Sequence, residues 1–191
     1  MSKDKFEKKA EQSYQSGDFT KAIYWFSRAI SVKPDNADLY SERAVAYFHA
    51  AMLSESLNDM NKARDLEPNR AYRYSSRAYI KDAMGDTEGA VEDYKMAVKL
   101  DPEDAVAHNN LGLLEEKLGH TAKAKAFFDL ADALAKEQMG NPKAVADRPK
   151  NIQREIDQEN NEKTLTKEMA KVFQSKSAFK EFLSFIRNGF K

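Results

Sequence analysis

The sequence predicts an all-α fold in which helix–turn–helix units are stacked one on the next. Prolines recur at an interval of 34 residues, and small and large side chains recur at fixed positions between them. Such a fixed period is the signature of a repeat architecture. The composition agrees, because only 7 of the 191 residues are glycine and 32% are charged, which suits helices.

The prolines Pro34, Pro68 and Pro102 set the length of the unit. If each stands at position 32, four units begin at residues 3, 37, 71 and 105. Small residues then occupy positions 8, 20 and 27 of the units: Ala10, Ala44, Ala78, Gly112; Ala22, Ser56, Ala90, Ala124; Ala29, Ala63, Ala97, Ala131. Large residues occupy positions 4 and 24: Phe6, Tyr40, Tyr74, His108; Phe26, Met60, Tyr94, Phe128. Small side chains let two helices approach closely, and large ones fill the space between neighbouring pairs.

Local signals predict where the helices begin and end. Glycines in the middle of three units fit the left-handed residue after a helix: Gly17, Gly85 and Gly119. Four residues are predicted to cap the next helix: Asp18, Asn36, Asp86 and Asp104. The second unit has Ala51 where glycine is expected, which predicts a looser turn. The fourth unit has no closing proline, so its last helix is predicted to continue to about Gln138.

This pattern resembles the tetratricopeptide repeat family over residues 3–136. The repeats are predicted to span residues 3–36, 37–70, 71–104 and 105–136. The resemblance implies a right-handed superhelical α-solenoid whose groove is lined by the first helix of each repeat. It also implies a non-catalytic scaffold that binds a peptide or helix segment of a partner protein. We expect residues 137–152 to form a linker and residues 153–191 to form a C-terminal helical extension.

The resemblance further implies where a ligand binds, because contacts in the family cluster at positions 2, 5, 6, 9 and 12. The residues predicted to form the groove here are Glu7, Glu11, Tyr14, Glu42, Val45, Phe48, Tyr72, Tyr79, Asn109 and Leu113. The acidic first half and the aromatic centre predict a partner segment that is both basic and apolar. The alternative is that these acids form only a solvated face.

One subfamily of similar length consists of co-chaperones that bind the C-terminal aspartate of heat-shock chaperones. Its carboxylate clamp uses Lys, Asn and Arg at five positions, where this sequence has Glu7, Glu11, Glu42, Tyr72 and Ser76. None of the five matches, and three carboxylates would repel a terminal carboxylate. We therefore predict that the partner is not a chaperone tail of this kind.

The pattern changes after Gly140, where Pro142 and Pro149 fall outside the 34-residue interval. From Thr164 the chain is predicted to be amphipathic helix, with six Lys or Arg against two Glu. Its apolar face is predicted to contain Phe173, Phe179, Phe182, Leu183 and Ile186. Three interpretations remain: a cap on the last repeat, a helix that binds a partner or the protein's own groove, or a membrane-surface helix. The modestly basic polar face argues against the membrane. The alternative function is an adaptor or assembly factor attached through this helix to a membrane or a second protein.

Several functions are disfavoured by composition and by missing motifs. Lys and Arg (31) balance Asp and Glu (31), which argues against nucleic-acid binding. There is no cysteine, and His49, His108 and His120 lie in different repeats without metal-ligand spacing. No phosphate-binding loop or hydrolase motif occurs. We predict no catalytic residues, no metal and no cofactor. No secretory signal or membrane span is evident, so we expect a cytoplasmic protein.

Overall fold

A computed structural model describes residues 3–140, with side chains from Lys5 onward, and all regular structure in this range is α-helical. The helices are α1 (Lys3–Gln15), α2 (Phe19–Ile30), α3 (Ala37–His49), α4 (Leu53–Leu66), α5 (Ala71–Ala83), α6 (Thr87–Leu100), α7 (Ala105–Lys117) and α8 (Thr121–Gln138). Each helix packs chiefly against the helices before and after it in the chain. This is the arrangement of a helical solenoid, so the predicted all-α solenoid is confirmed.

The predicted C-terminal extension, residues 153–191, lies outside the described residues, together with the linker beyond Gly140. The residues of its predicted apolar face, Phe173, Phe179, Phe182, Leu183 and Ile186, are therefore not placed. The three interpretations of this segment stay predictions.

The helix ends follow the signals in the sequence. The backbone φ angles of Gly17, Gly85 and Gly119 are 78°, 86° and 84°, in the left-handed region that glycine adopts without strain. The predicted caps each accept a hydrogen bond from a backbone N–H in the first turn of the next helix: Asp18, Asn36, Asp86 and Asp104. Helix α8 continues to Gln138, the residue to which the sequence predicts that it extends.

The turn in the middle of repeat 2 is not looser than the others, so that prediction from Ala51 is wrong. Ala51 adopts a φ of 59°. Its N–H donates to the carbonyl of Phe48 at 3.0 Å, and the N–H of Met52 donates to Tyr47 at 2.9 Å. The turn at Gly17 has the same two hydrogen bonds. An L-residue in this conformation brings its Cβ close to the following carbonyl oxygen. The turn is therefore closed, but strained.

The repeated small residues are buried between paired helices, as the sequence predicts. The alanines at positions 8, 20 and 27 are at most 6% exposed. Gly112 stands where the other repeats have alanine. A Cβ added there would lie 2.7 Å from the Phe128 ring and 3.2 Å from the Ala124 carbonyl oxygen. Phe128, at position 24, thus leaves no room for the methyl group of an alanine, which explains why this repeat has Gly112 at position 8.

In repeats 2, 3 and 4, the side chain at position 4 contacts the proline that closes the preceding repeat. The hydroxyl of Tyr40 donates to the Pro34 carbonyl at 3.0 Å, and that of Tyr74 donates to the corresponding carbonyl at 2.9 Å. In repeat 4, His108 Nε2 lies 3.0 Å from the Pro102 carbonyl oxygen. Because a carbonyl can only accept, Nε2 carries the proton. His108 is 4% exposed, which confirms its predicted structural role.

Candidate functional site

The first helices of the repeats, α1, α3, α5 and α7, present the surface that the sequence predicts to bind a partner, and we call this surface the groove. Two depressions lie on it. The acidic depression, of about 470 Å³, contacts α1, α3 and α5. The aromatic depression, of about 400 Å³, contacts α3, α5 and α7. Both are lined by Val45 and Tyr72, so the two depressions adjoin.

The structure brings most of the predicted groove residues together. Those that line the acidic depression are Glu11, Tyr14, Glu42, Val45 and Tyr72, and those that line the aromatic depression are Val45, Phe48, Tyr72 and Tyr79. Glu7, Asn109 and Leu113 line neither depression. Leu113 is 49% exposed on α7, next to Asn109, which is also exposed.

The carboxylates near the acidic depression are not equivalent. Glu7 forms an ion pair with Lys33, whose Nζ lies 2.7 Å from its carboxylate. Asp38, at position 2 of repeat 2, is also part of this region, and it pairs with Arg73 at 2.5 Å. Glu11 and Glu42 have no ion-pair partner among residues 5–140, whose side chains the structure describes. The unpaired negative charge is therefore concentrated on these two residues.

Glu42 is surrounded by other acidic side chains. Its side chain is exposed, but it stands in a depression. Partial loss of hydration, followed in size by the charges of Glu11, Asp38 and Glu7, raises the pKa of Glu42 to about 7. At neutral pH this carboxyl group is therefore ionised in only part of the molecules. A nearby cation would favour the ionised form.

Arg73 forms part of the wall of the acidic depression, and sequence reasoning did not assign it this role. It is 2% exposed and donates hydrogen bonds to the side chains of Asp38, Glu67 and Ser41. The sequence places Arg73 at position 3, one residue from a groove position. Its contacts depend on how repeats 2 and 3 stack, which the period alone does not show.

Several large apolar side chains of the aromatic depression are exposed. Tyr72 and Tyr79 are 57% and 59% exposed, and Val106 is 68% exposed. The rings of Phe48 and Tyr79 pack with their centroids 5.2 Å apart. His49 also lines this depression, and its ring stacks on Phe19 at 5.0 Å. These exposed side chains are therefore candidates for contact with a partner.

Polar atoms also face the aromatic depression. Ser75 lines it, and the buried Ser75 Oγ has no hydrogen-bond partner within the described part of the chain. Tyr94 reaches it from α6 and accepts a hydrogen bond from Asn110 Nδ2 at 3.1 Å. Burial raises the pKa of Tyr94 to about 12, so its hydroxyl stays protonated. Buried hydroxyl groups normally have partners, so Ser75 is an exception within the described part of the chain.

The arginines near the clamp positions are already engaged. Arg77 pairs with Asp93 in the packing between α5 and α6, and Arg73 pairs with Asp38 and Glu67. Neither side chain is available as a free cation for a carboxylate in the groove. Over residues 3–140, no group of three or more His, Asp or Glu could hold a metal ion. In the same range, no helix is long and apolar enough to cross a membrane.

Fold and surface together define a helical-repeat scaffold for protein interactions. A model described as TPR repeat matches residues 11–49 and 83–119, and a model described as tetratricopeptide repeat matches residues 105–138. The chain is a tetratricopeptide repeat protein. A search of curated proteins finds no match.

Solved structures of similar fold include several repeat domains. One, described as the first TPR of Spaghetti (RPAP3) bound to HSP90 peptide SRMEEVD, is 26% identical, with a TM-score of 0.57. That match covers 60% of this chain and 90% of the other. The Arabidopsis OM64 TPR domain is 21% identical with a TM-score of 0.56, covering 60% and 94% of the two chains. MamA from Desulfovibrio magneticus RS-1 is 18% identical with a TM-score of 0.67, covering 72% and 77%.

Proposed function

We propose that the groove binds an extended or helical segment of another protein, and that this segment carries both basic and apolar side chains. The observation that carries the proposal is the exposed aromatic surface of Tyr72 and Tyr79 beside the unpaired carboxylates of Glu11 and Glu42. Tyrosine side chains give large contact areas and lose little conformational entropy on binding. The carboxylates add charge complementarity, which mainly increases specificity and the rate of association.

The same charges argue against an acidic chaperone tail as the partner. The first TPR of RPAP3 is bound to the HSP90 peptide SRMEEVD in its structure. This chain has Glu7, Glu11 and Glu42 at three clamp positions. The two glutamates and the terminal aspartate of that peptide would meet these carboxylates. We therefore expect little binding of SRMEEVD.

The test uses the full chain and two labelled peptides, SRMEEVD and a basic-apolar probe of alternating Lys and Phe residues. Fluorescence polarisation of each peptide is measured at low ionic strength, because salt screens exposed charges. In the variant with Glu7, Glu11 and Glu42 all changed to Lys, binding of the basic probe should be lost. Binding of SRMEEVD should rise.

A matched control changes the exposed Glu55, Glu88 and Glu92 on α4 and α6 to Lys, which gives the same change in net charge outside the groove. This control should bind the basic probe better than the groove variant does. Equal affinity of the two variants would show that the probe responds only to net charge, and would contradict groove binding.

A further inference from the structure

The two depressions also indicate which side chain of the bound segment lies at which part of the groove. They adjoin at Val45 and Tyr72, with unpaired carboxylates on one side and exposed aromatic rings on the other. We propose that Glu11 and Glu42 together select one basic side chain of the segment, while a neighbouring apolar side chain packs on Phe48 and Tyr79. We further propose that the basic side chain displaces a proton from Glu42. This inference rests on the proposed function of the groove.

Pairing within the protein identifies Glu11 and Glu42 as the selective residues. Glu7 is engaged by Lys33 and Asp38 by Arg73, at 2.7 and 2.5 Å. A ligand cation at either of those carboxylates would compete with a cation that the protein already supplies. At Glu11 and Glu42 it would meet no competing side chain among residues 5–140. The acidic depression is therefore a site for one basic side chain of the ligand, although several carboxylates lie in or near it.

The aromatic depression accounts for the second part of the ligand. An apolar side chain over Phe48 and Tyr79 would cover ring surface that is now in contact with water. A ligand with only a charge would leave this ring surface in contact with water. One short segment therefore needs both a basic and an apolar side chain.

The charged groups around Glu42 are Glu7 and Glu11 on α1, Asp38 on α3 itself and Arg73 on α5, with Lys33 beside Glu7. The tyrosines Tyr14 and Tyr72 also line the acidic depression but are neutral at these pH values. The balance is acidic at Glu42, because Arg73 and Lys33 already make ion pairs. Loss of hydration and these acids raise the pKa of Glu42 to about 7. The positive charge of a bound ligand would lower the pKa of Glu42 again.

The direction of the pH effect follows from this linkage. Below about pH 7 the free protein holds a proton at Glu42, and a cation must displace that proton. Affinity should therefore rise with pH through neutrality and level off once Glu42 is ionised in the free protein. A shift of about one pKa unit on binding corresponds to roughly a tenfold gain in affinity.

His49 could produce a similar trend and must be separated from Glu42. It lines the aromatic depression, and histidine is the side chain that ordinarily titrates near neutral pH. A positive charge at this position would repel a ligand cation. The variant His49→Asn removes this contribution and leaves Glu42 in place.

The experiment first screens an array of synthetic peptides that each contain one Lys and one Phe. Across the array, the spacing between these two residues varies from adjacent to four residues apart. The tightest binder is then titrated against the full chain by fluorescence polarisation, from pH 5.5 to 8.5 at constant ionic strength. Wild type should bind roughly tenfold more tightly at pH 8.5 than at pH 5.5. Glu42→Gln should reduce this ratio to below about twofold, whereas His49→Asn should retain most of it.

Graded variants test the selection of the charge. Glu11→Gln at pH 8 should weaken binding more than Glu7→Gln does, because Lys33 already pairs with Glu7. Glu55→Gln on α4 is the control for losing an exposed carboxylate outside the groove. Calorimetry at pH 7 in buffers of different ionisation enthalpy should show release of up to roughly half a proton per peptide bound.

The two proposals fail in distinguishable ways. If no peptide of the array binds, or if Tyr79→Ala leaves binding unchanged, the proposed function of the groove is wrong. If the peptide binds and Tyr79→Ala weakens it, but Glu42→Gln keeps the wild-type pH profile, only the further inference is overturned. Equal effects of Glu7→Gln and Glu11→Gln would also overturn it.

Discussion

Repeats 2 and 3 contain a buried ion pair at positions 7 and 23, whereas the outer repeats do not. In repeat 2, Arg43 donates to both carboxylate oxygens of Asp59, at 2.6 and 2.7 Å, and to Ser27 Oγ of repeat 1 at 2.9 Å. In repeat 3, Arg77 pairs with both oxygens of Asp93 and also donates to a side chain of repeat 2. Each inner pair thus connects two helices of one repeat to the repeat before it.

The outer repeats have other kinds of side chain at the same two positions. In repeat 1, the Nζ of Lys9 lies 4.2 Å from the centroid of the Trp25 ring. In repeat 4 the two positions hold Leu111 and Phe127, both buried. The backbone arrangement therefore accepts an ion pair, a cation on a ring or two apolar residues. The partners must match, however, because an unmatched charge would be left buried.

The largest expected effect comes from breaking one inner pair. Arg43→Met leaves Asp59, whose side chain is 10% exposed, without its ion-pair partner. We expect this variant to lose about 3–5 kcal/mol of unfolding free energy, the usual cost of an uncompensated buried charge. Urea unfolding of the full chain, followed by circular dichroism, measures the loss. Arg77→Met should lose less, because Lys81 Nζ remains 2.9 Å from Asp93.

Replacing both partners sharpens the comparison with repeat 4. The double variant Arg43→Met with Asp59→Leu makes repeat 2 apolar at both positions. It should return to within about 1 kcal/mol of wild type, because well-packed apolar replacements of buried ion pairs are often neutral. A double variant as unstable as Arg43→Met alone would show that the inner and outer repeats are not interchangeable here.

The repeat itself could be predicted from the sequence because its signals are local and periodic. A glycine, an aspartate cap and a proline mark the helix ends, and small side chains mark the close contacts. The charges of the groove could not be predicted in the same way. Lys33 pairs with Glu7 across 26 residues, and Arg73 pairs with Asp38 across 35. The position of a residue in the repeat shows which face of the helix it occupies. It does not show which neighbouring residue a long side chain reaches.

The turn at Ala51 illustrates a different limit. Local preference disfavours alanine at a positive φ, and on that basis the sequence predicts a looser turn. The structure has the same hydrogen bonds as in the turn at Gly17. The packing of α3 against α4 therefore fixes the turn against the preference of its residue. Tertiary contacts often override local preference in this way.

The strained turn at Ala51 can be compared with the glycine turns by exchanging the residues. Ala51→Gly should stabilise the protein by about 1 kcal/mol, because glycine relieves the left-handed strain at some cost in backbone entropy. Thermal and urea unfolding of the full chain measure the gain. Gly85→Ala is the matched reverse change at a φ of 86°, and it should lose a similar amount. Destabilisation by Ala51→Gly would show that the turn in repeat 2 is not strained.

The smallest expected effect concerns position 4, where repeats 2 and 3 have tyrosine and repeat 4 has His108. Burial lowers the pKa of His108 below its ordinary value of 6.5. The unfolded chain therefore takes up a proton near pH 6.5 while the folded protein does not. The stability associated with neutral His108 is present above pH 6.5 and is lost as the pH falls towards its folded pKa.

His108→Tyr copies the inner repeats and should keep a hydrogen bond to the Pro102 carbonyl without this titration. Melting temperatures of the variant and wild type are compared from pH 8 to pH 5. The difference in favour of the variant should grow as the pH falls, while His49 and His120, common to both proteins, cancel in the comparison. A difference that does not change with pH would mean that His108 is protonated in the folded protein as readily as in the unfolded chain. In that case the hydrogen bond to Pro102, together with Asp104 and Asp101, would offset its burial.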